Sequence, residues 1–239
     1  MAEGIVYESK VVMASDMGRL HRLTANGGSN PRVFAHRAVW SLLADDRDKR
    51  DFLFSVTGLA PFSAILRTRG PVPQAAEWCV ESYPLETHFE QGRVLRFRLE
   101  AVAEVARSVA DTRRSKRMDI VLDALRQHRE LQEGSADDLE RAFAEPQDIA
   151  AKAARDWMEA QGRRRGFEIV ERDDGEAAFA FVDHQRHRMR HRNGPIQAGS
   201  ITVEGLLRVT DPVAFSEALS TGFGRLKAYG FGLMQIRPA

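Results

Sequence analysis

Three groups of residues in this chain have types and spacing that could do chemistry. The first is the run Gly222-Phe-Gly-Arg-Leu-Lys-Ala-Tyr-Gly-Phe-Gly232, where Gly222, Gly224, Gly230 and Gly232 frame Arg225, Lys227 and Tyr229. Glycine takes positive φ freely and lets a ligand or another backbone come close. The run therefore reads as a basic loop that exposes its backbone. No Gly-Lys-Ser/Thr closes it, so it is not a triphosphate-binding loop. A dinucleotide fingerprint runs from strand to helix, whereas this loop is predicted to run from helix to strand. On the loop alone, a tight connection whose glycines serve packing is the competing reading.

The second group is one residue, His36, inside a predicted helix. Imidazole, with an ordinary pKa of about 6.5, suits proton transfer near neutral pH. At 3.6 residues per turn His36 shares a face with Val33, Val39, Trp40 and Leu43, so a half-buried packing histidine is its bland alternative. The third group is basic: Arg113-Arg114-Ser-Lys116-Arg117, Arg163-Arg164-Arg165, and His184 to Arg192, which includes Arg188, Arg190 and Arg192. Arg96 and Arg98 alternate with Leu95, Phe97 and Leu99, the pattern of a sheet with one polar face. Solvated charged faces would look the same. His184, His187 and His191 have a spacing found in zinc sites, but no cysteine lies near them, and the reading assigns no metal.

The net charge of +1, from 35 basic and 34 acidic residues, does not by itself point to a polyanion. The segregation does, because acids concentrate at Glu130 to Glu145 and Glu171 to Asp174, away from the basic runs. Cys79 is the single cysteine, which rules out an internal disulfide and fits a reducing compartment. No apolar run approaches the roughly 20 residues of a membrane span. Met1 to Lys10 lacks the basic-then-apolar layout of a signal peptide. The expectation is a cytoplasmic protein with no membrane partner.

Elements must position these groups. Tyr7–Met13 reads as a strand. Asn30-Pro31 is a helix start, since Asn caps orphan N–H groups and Pro suits the first helical position; the helix should run to about Leu43. Strands follow at Asp51–Val56 and Phe62–Arg67, Pro71–Cys79 is ambiguous, and Leu85–Glu90 and Val94–Val102 read as strands around the Gln91-Gly92 turn. Helices are expected from Lys116 to about Arg129 and from Gln147 to Gln161, separated by an acidic loop. Strands are expected at Phe167–Val170, Ala177–Val182 and Ser200–Val209. Asp211-Pro212 opens another helix, to about Leu219, and Phe231–Ile236 is the last strand. Helices segregated over antiparallel strands give an α+β class. The simplest packing is two tandem ferredoxin-like halves, residues 1–92 and 93–239.

The tail resembles the signature of the CRISPR repeat-processing endoribonucleases, in detail the CasE family of the type I-E Cascade complex. Earlier blocks resemble it too, and in the same order: Tyr7-Glu-Ser-Lys-Val-Val-Met13, His36-Arg-Ala-Val-Trp-Ser-Leu-Leu43, Arg50-Asp-Phe-Leu-Phe54, Leu95-Arg-Phe-Arg-Leu99, and Val203-Glu-Gly-Leu-Leu207 before the helix at Asp211. The likeness runs from Tyr7 to Met234. It implies two RNA-recognition-type ferredoxin-like domains, the first carrying the catalytic histidine. It also implies an endoribonuclease that cuts precursor CRISPR RNA at the base of the repeat hairpin without a metal or cofactor, leaving a 2′,3′-cyclic phosphate. Such a protein stays on the hairpin as a subunit of Cascade.

The resemblance places the catalytic histidine at His36 and a second catalytic residue at Lys227, where the family's motif has a lysine whose charge would neutralise the scissile phosphate. RNA contacts are expected from Arg37, Arg96, Arg98, Arg113, Arg114, Lys116, Arg117, Arg188, Arg190, Arg192 and Arg225. The family often carries a tyrosine three residues before its histidine, where this chain has Val33. A hairpin-binding subunit with little or no activity is therefore the alternative function.

Overall fold

The structure, a computed structural model, describes residues 6–14, 30–43, 51–108, 115–134, 145–191 and 194–239, with backbone alone at 131–134, 190 and 191. It divides into two compact units. The first comprises residues 1–89, 187–197 and 216–233, and the second residues 90–186, 198–215 and 234–239.

The first unit is built on four strands, β1 (Tyr7–Met13), β2 (Leu53–Leu59), β3 (Phe62–Thr68) and β4 (Trp78–Pro84), in the order β2-β3-β1-β4. Each neighbouring pair is antiparallel. Helix α1 (Pro31–Leu43) crosses between β1 and β2. Asn30 caps it as expected: its Oδ1 accepts from the amides of Arg32 and Val33 at 2.9 and 3.3 Å. The helix buries Phe34, Ala35, Ala38, Val39 and Leu42 against Val11, Phe54, Phe62, Ala64 and Leu66 of the sheet.

The second unit repeats the arrangement. Strands β5 (Val94–Ala101), β8 (Phe167–Ile169), β10 (Gly194–Val209) and β11 (Met234–Pro238) form a sheet in the order β11-β5-β10-β8. Numbered within each set, both sheets read 4-1-3-2, the ferredoxin-like order expected from the element pattern. Two strands, β6 (Glu104–Ser108) and β7 (Ser115–Asp119), pair as a separate ribbon. Helices α2 (Ile120–Gly134), α3 (Pro146–Arg165) and α4 (Pro212–Thr221, whose residues from Ser216 belong to the first unit) complete the described α-helices, and β9 (Phe179–His191) pairs with β10. Leu95, Phe97, Leu99, Val203, Leu207, Phe167, Phe215 and Met158 are buried on the core side of this unit. Asp211 caps α4, accepting from the amides of Val213 and Ala214 at 3.0 Å each.

Four local expectations are corrected. The strand predicted at Leu85–Glu90 lies earlier, at Trp78–Pro84, where β1 supplies a partner for every residue. The helix predicted from Lys116 starts at Ile120, because Lys116 and Arg117 belong to β7 and Asp119 caps the helix, accepting from the amides of Val121 and Leu122 at 2.8 and 3.2 Å. The strand predicted at 177–182 runs on as β9, carried by its pairing with β10. The last strand begins at Met234 rather than Phe231, because the glycine loop continues to Leu233.

Candidate active site

The glycine loop and His36, 192 residues apart between His36 and Ala228, meet within the first unit. The loop folds on itself before it reaches β11. Phe223 N–H donates to Gly232 C=O at 2.8 Å and closes its two ends. Residues Lys227–Tyr229 make one 3-10 turn, flanked by Leu226 at φ 54° and Gly230 at φ 87°. Left-handed backbone at a leucine costs about 1 kcal/mol or more, so strain sits beside the turn. All four motif glycines have positive φ. Gly232 needs to be glycine for a second reason, since a Cβ there would meet the Phe223 carbonyl oxygen.

The turn presents Ala228 C=O to His36 Nδ1 at 2.8 Å. A carbonyl only accepts, so Nδ1 carries the proton, and in the neutral ring the basic lone pair is on Nε2. The imidazole, half-buried, is flanked by two rings: Tyr229 with centroids 5.4 Å apart and Trp40 at 6.0 Å. Trp40 in turn meets Phe52 at 5.6 Å, which ties the histidine to the sheet core. The arrangement fixes both the tautomer and the ring orientation, as a general acid or base requires.

Lys227 lies on the same turn, but its ammonium donates to Thr221 C=O at 2.9 Å and reaches Gly222 C=O at 3.5 Å. These are carbonyls at the C-terminus of α4, which has no basic residue in its own last turn. Arg67, buried in β3, donates from Nη1 to Leu219 C=O at 2.9 Å and pairs through Nη2 with Glu8 at 2.6 Å. Burial pulls the Arg67 pKa down and the charge and hydrogen bond of Glu8 oppose that pull. Two cations therefore hold the helix end from which the glycine loop departs.

The other expected residues are spread over the fold. Arg37 follows His36 on α1 and is half-buried, and Arg225 is exposed on the loop. Arg188 is exposed on β9, and its carbonyl accepts from Asn30 Nδ2 at 2.8 Å. Arg190 lies on β9 with its side chain outside the description, and Arg113, Arg114 and Arg192 lie outside the described residues. Lys116 and Arg117 are exposed on β7, on opposite faces of the strand. Arg96 and Arg98 both project from the exposed side of β5, where Arg98 pairs with Glu204 at 2.5 Å. His184 and His187, three apart on β9, point to opposite faces. His184 Nε2 lies 2.8 Å from Asp119 Oδ2, and His187 packs on Phe231 at 5.0 Å.

Two contributors went unread in the sequence. Tyr229 was visible as the aromatic residue between two glycines, but only the fold puts it on His36. Arg32, one turn before His36, lays its guanidinium over the Phe231 ring at 4.3 Å. That ties the start of α1 to the end of the loop.

Residues 7–238 match the sequence model of the family described as CRISPR associated protein. The chain belongs to that family. Its fold is similar to that of Thermus thermophilus Cse3 bound to an RNA representing a pre-cleavage complex, with 22% identity over 98% of this chain and 100% of that one and a TM-score of 0.64. It is also similar to Cas6e of Escherichia coli K-12, at 17% identity over 98% and 100% of the two chains, TM-score 0.59. A chain of a CRISPR RNA-guided surveillance complex in a pre-nicking state is similar at 16% identity over 98% and 100%, TM-score 0.62. At these identities the likeness is one of fold. A search of curated protein sequences finds no match. Among the described residues no helix is long and apolar enough to cross a membrane.

Proposed function

We propose that this protein is an endoribonuclease that cuts precursor CRISPR RNA at the base of the repeat hairpin and then stays on the hairpin as a subunit of Cascade. The observation that carries the reading is the hydrogen bond from His36 Nδ1 to Ala228 C=O, which puts the basic nitrogen of a half-buried imidazole on Nε2. The family membership and the fold shared with an RNA-bound Cse3 support it.

RNA carries its own nucleophile. In the proposed reaction Nε2 takes the proton of the 2′-hydroxyl beside the cut. The 2′-oxygen bonds to phosphorus as the bond from phosphorus to the 5′-oxygen breaks, and the leaving oxygen takes its proton from water. The products are a 2′,3′-cyclic phosphate and a 5′-hydroxyl, and no metal enters any step. Lys227 supports the reaction by holding the loop against α4, and Tyr229 and Trp40 hold the imidazole. Arg37, Arg188 and Arg225, exposed or half-buried in the first unit, are proposed phosphate contacts, with Lys116 and Arg117 on the second.

The test is cleavage of a repeat hairpin in EDTA, with end-group analysis of the products. A single 2′-deoxy substitution at the cut site should block the reaction, and a 3′-hydroxyl product would refute the mechanism. A second reading has one observation behind it. Val33, where the resemblance implies a tyrosine, is an aliphatic residue only 8% exposed. On that reading the chain binds the hairpin and cuts slowly or not at all, and the same assay would show tight binding without products.

A further inference from the structure

The solvent face of the second unit's sheet carries a charge arrangement that the hydrogen-bonding register fixes. Along β5 this face holds Val94, Arg96, Arg98 and Glu100. Arg98 stands opposite Glu204 on β10 and opposite Gln235 on β11. Arg208 stands opposite Glu168 on β8. Both arginines form ion pairs with those carboxylates, at 2.5 and 2.8 Å.

Arg96 is different. Its partner on β11 is Arg237, and its partner on β10 is Leu206, which offers no counter-charge. Directly opposed residues in an antiparallel pair have Cβ atoms about 5 Å apart, and like charges in that position repel. Both side chains are exposed, and among the described residues neither forms an ion pair. On this face Glu204 and Glu168 are engaged by Arg98 and Arg208, and Glu100 lies two rows along β5 from Arg96, opposite Thr202.

We propose that Arg96 and Arg237 form a two-pronged clamp for one phosphodiester of the RNA backbone. Two guanidinium forks on adjacent strands present planar donors to an anion between them, the geometry that suits arginine to phosphate. A bound phosphate turns the repulsion into attraction, and the neighbouring ion pairs leave this row as the positive point of the sheet face. The proposal rests on the RNA-binding reading above and adds a site to it: Arg237 becomes a contact, and Arg96 rather than the neutralised Arg98 becomes the main contact of β5.

The experiment is a salt series of fluorescence anisotropy with a labelled RNA stem-loop, on the full chain. Wild type, Arg96→Ala, Arg237→Ala and Arg208→Ala are compared, with urea midpoints measured on the same preparations. Arg96→Ala and Arg237→Ala should each lower the slope of log affinity against log salt by about 1. Their urea midpoints should hold or rise, since a repulsion has been removed. Arg208→Ala removes the same charge from the same face and should leave the slope as in wild type. An unchanged slope in the first two variants, or an equal drop in Arg208→Ala, overturns the clamp. A midpoint raised by inorganic phosphate in wild type alone, with no change in RNA slope, also overturns it and leaves only a free-anion site. If wild type binds the stem-loop but cuts nothing, the endonuclease reading fails and the clamp stands. If wild type binds no RNA, both fall.

Discussion

His36 Nδ1 lies 2.8 Å from Ala228 C=O, a backbone atom in the one 3-10 turn of the glycine loop. In many enzymes a carboxylate orients the histidine. Here a carbonyl does so, and it adds no charge beside the imidazole, which suits the proposed attack on a phosphodiester. The loop's glycines then have a specific task, which is to bend the chain tightly enough to bring that carbonyl to α1.

Tyr229 should act as a positioning residue through its ring. Phe keeps the ring and Ala removes it, so Tyr229→Phe should cleave at close to the wild-type rate. Tyr229→Ala should be slower by about 10²-fold, the scale of loss when a catalytic group is misplaced by an ångström. Hairpin affinity should hold in both, and the pH profile of single-turnover cleavage should change only in Tyr229→Ala. A profile and rate unchanged in Tyr229→Ala would remove the ring from the site.

Lys227 holds the carbonyls of Thr221, the last residue of α4, and of Gly222 just beyond it, at 2.9 and 3.5 Å. Lys227→Met should therefore lower stability by about 1 kcal/mol, the scale of a charge-assisted bond at a helix C-terminus, and slow cleavage as the loop loosens. Urea denaturation and single-turnover rates check this together. A rate loss at unchanged stability would instead place the ammonium at the scissile phosphate.

Arg67 is 2% exposed and bridges Glu8 to Leu219 C=O. Removing one partner of a buried pair leaves the other groups uncompensated. Arg67→Ala should cost about 3 kcal/mol, read from the urea midpoint. Its cleavage rate at low urea should fall as well, because α4 and the loop share that anchor.

Asp119 caps α2 and pairs with His184. Burial pushes its pKa up, but the hydrogen bond and charge of His184, with the amides of Leu122 and Val121, outweigh burial and hold it below the usual carboxylate range. With a folded-state pKa below the unfolded value of about 3.9, its stabilisation is complete above that value and is lost as pH falls through the folded-state pKa. Asp119→Asn keeps a capping oxygen and removes the charge. The stability gap between wild type and Asp119→Asn should be full at pH 6 and shrink below pH 4. A gap independent of pH would show that the carboxylate charge contributes nothing.

Much of the frame was legible in the sequence, where two kinds of signal agreed. Asn30-Pro31 and Asp211-Pro212 each joined a cap to a proline and opened helices at the predicted positions. Val94 to Ala101 alternated cleanly and became the central strand that carries Arg96 and Arg98. The misses came where tertiary pairing overruled composition. His184 to His191 has one apolar residue, Met189, and so no alternation to mark a strand, yet pairing with β10 makes it one. Trp78–Pro84 has little alternation, and β1 decides its register. At the site, His36 could be named from its residue type and the resemblance. Its partner could not, because a backbone carbonyl leaves no mark in a sequence.

The role of His36 is tested by single-turnover cleavage of a repeat hairpin by wild type and His36→Ala, with hairpin affinity measured on the same proteins. His36→Ala should lose at least about 10²-fold in rate, the usual worth of a general acid or base, with affinity nearly unchanged. Cleavage by His36→Ala at the wild-type rate would contradict that role.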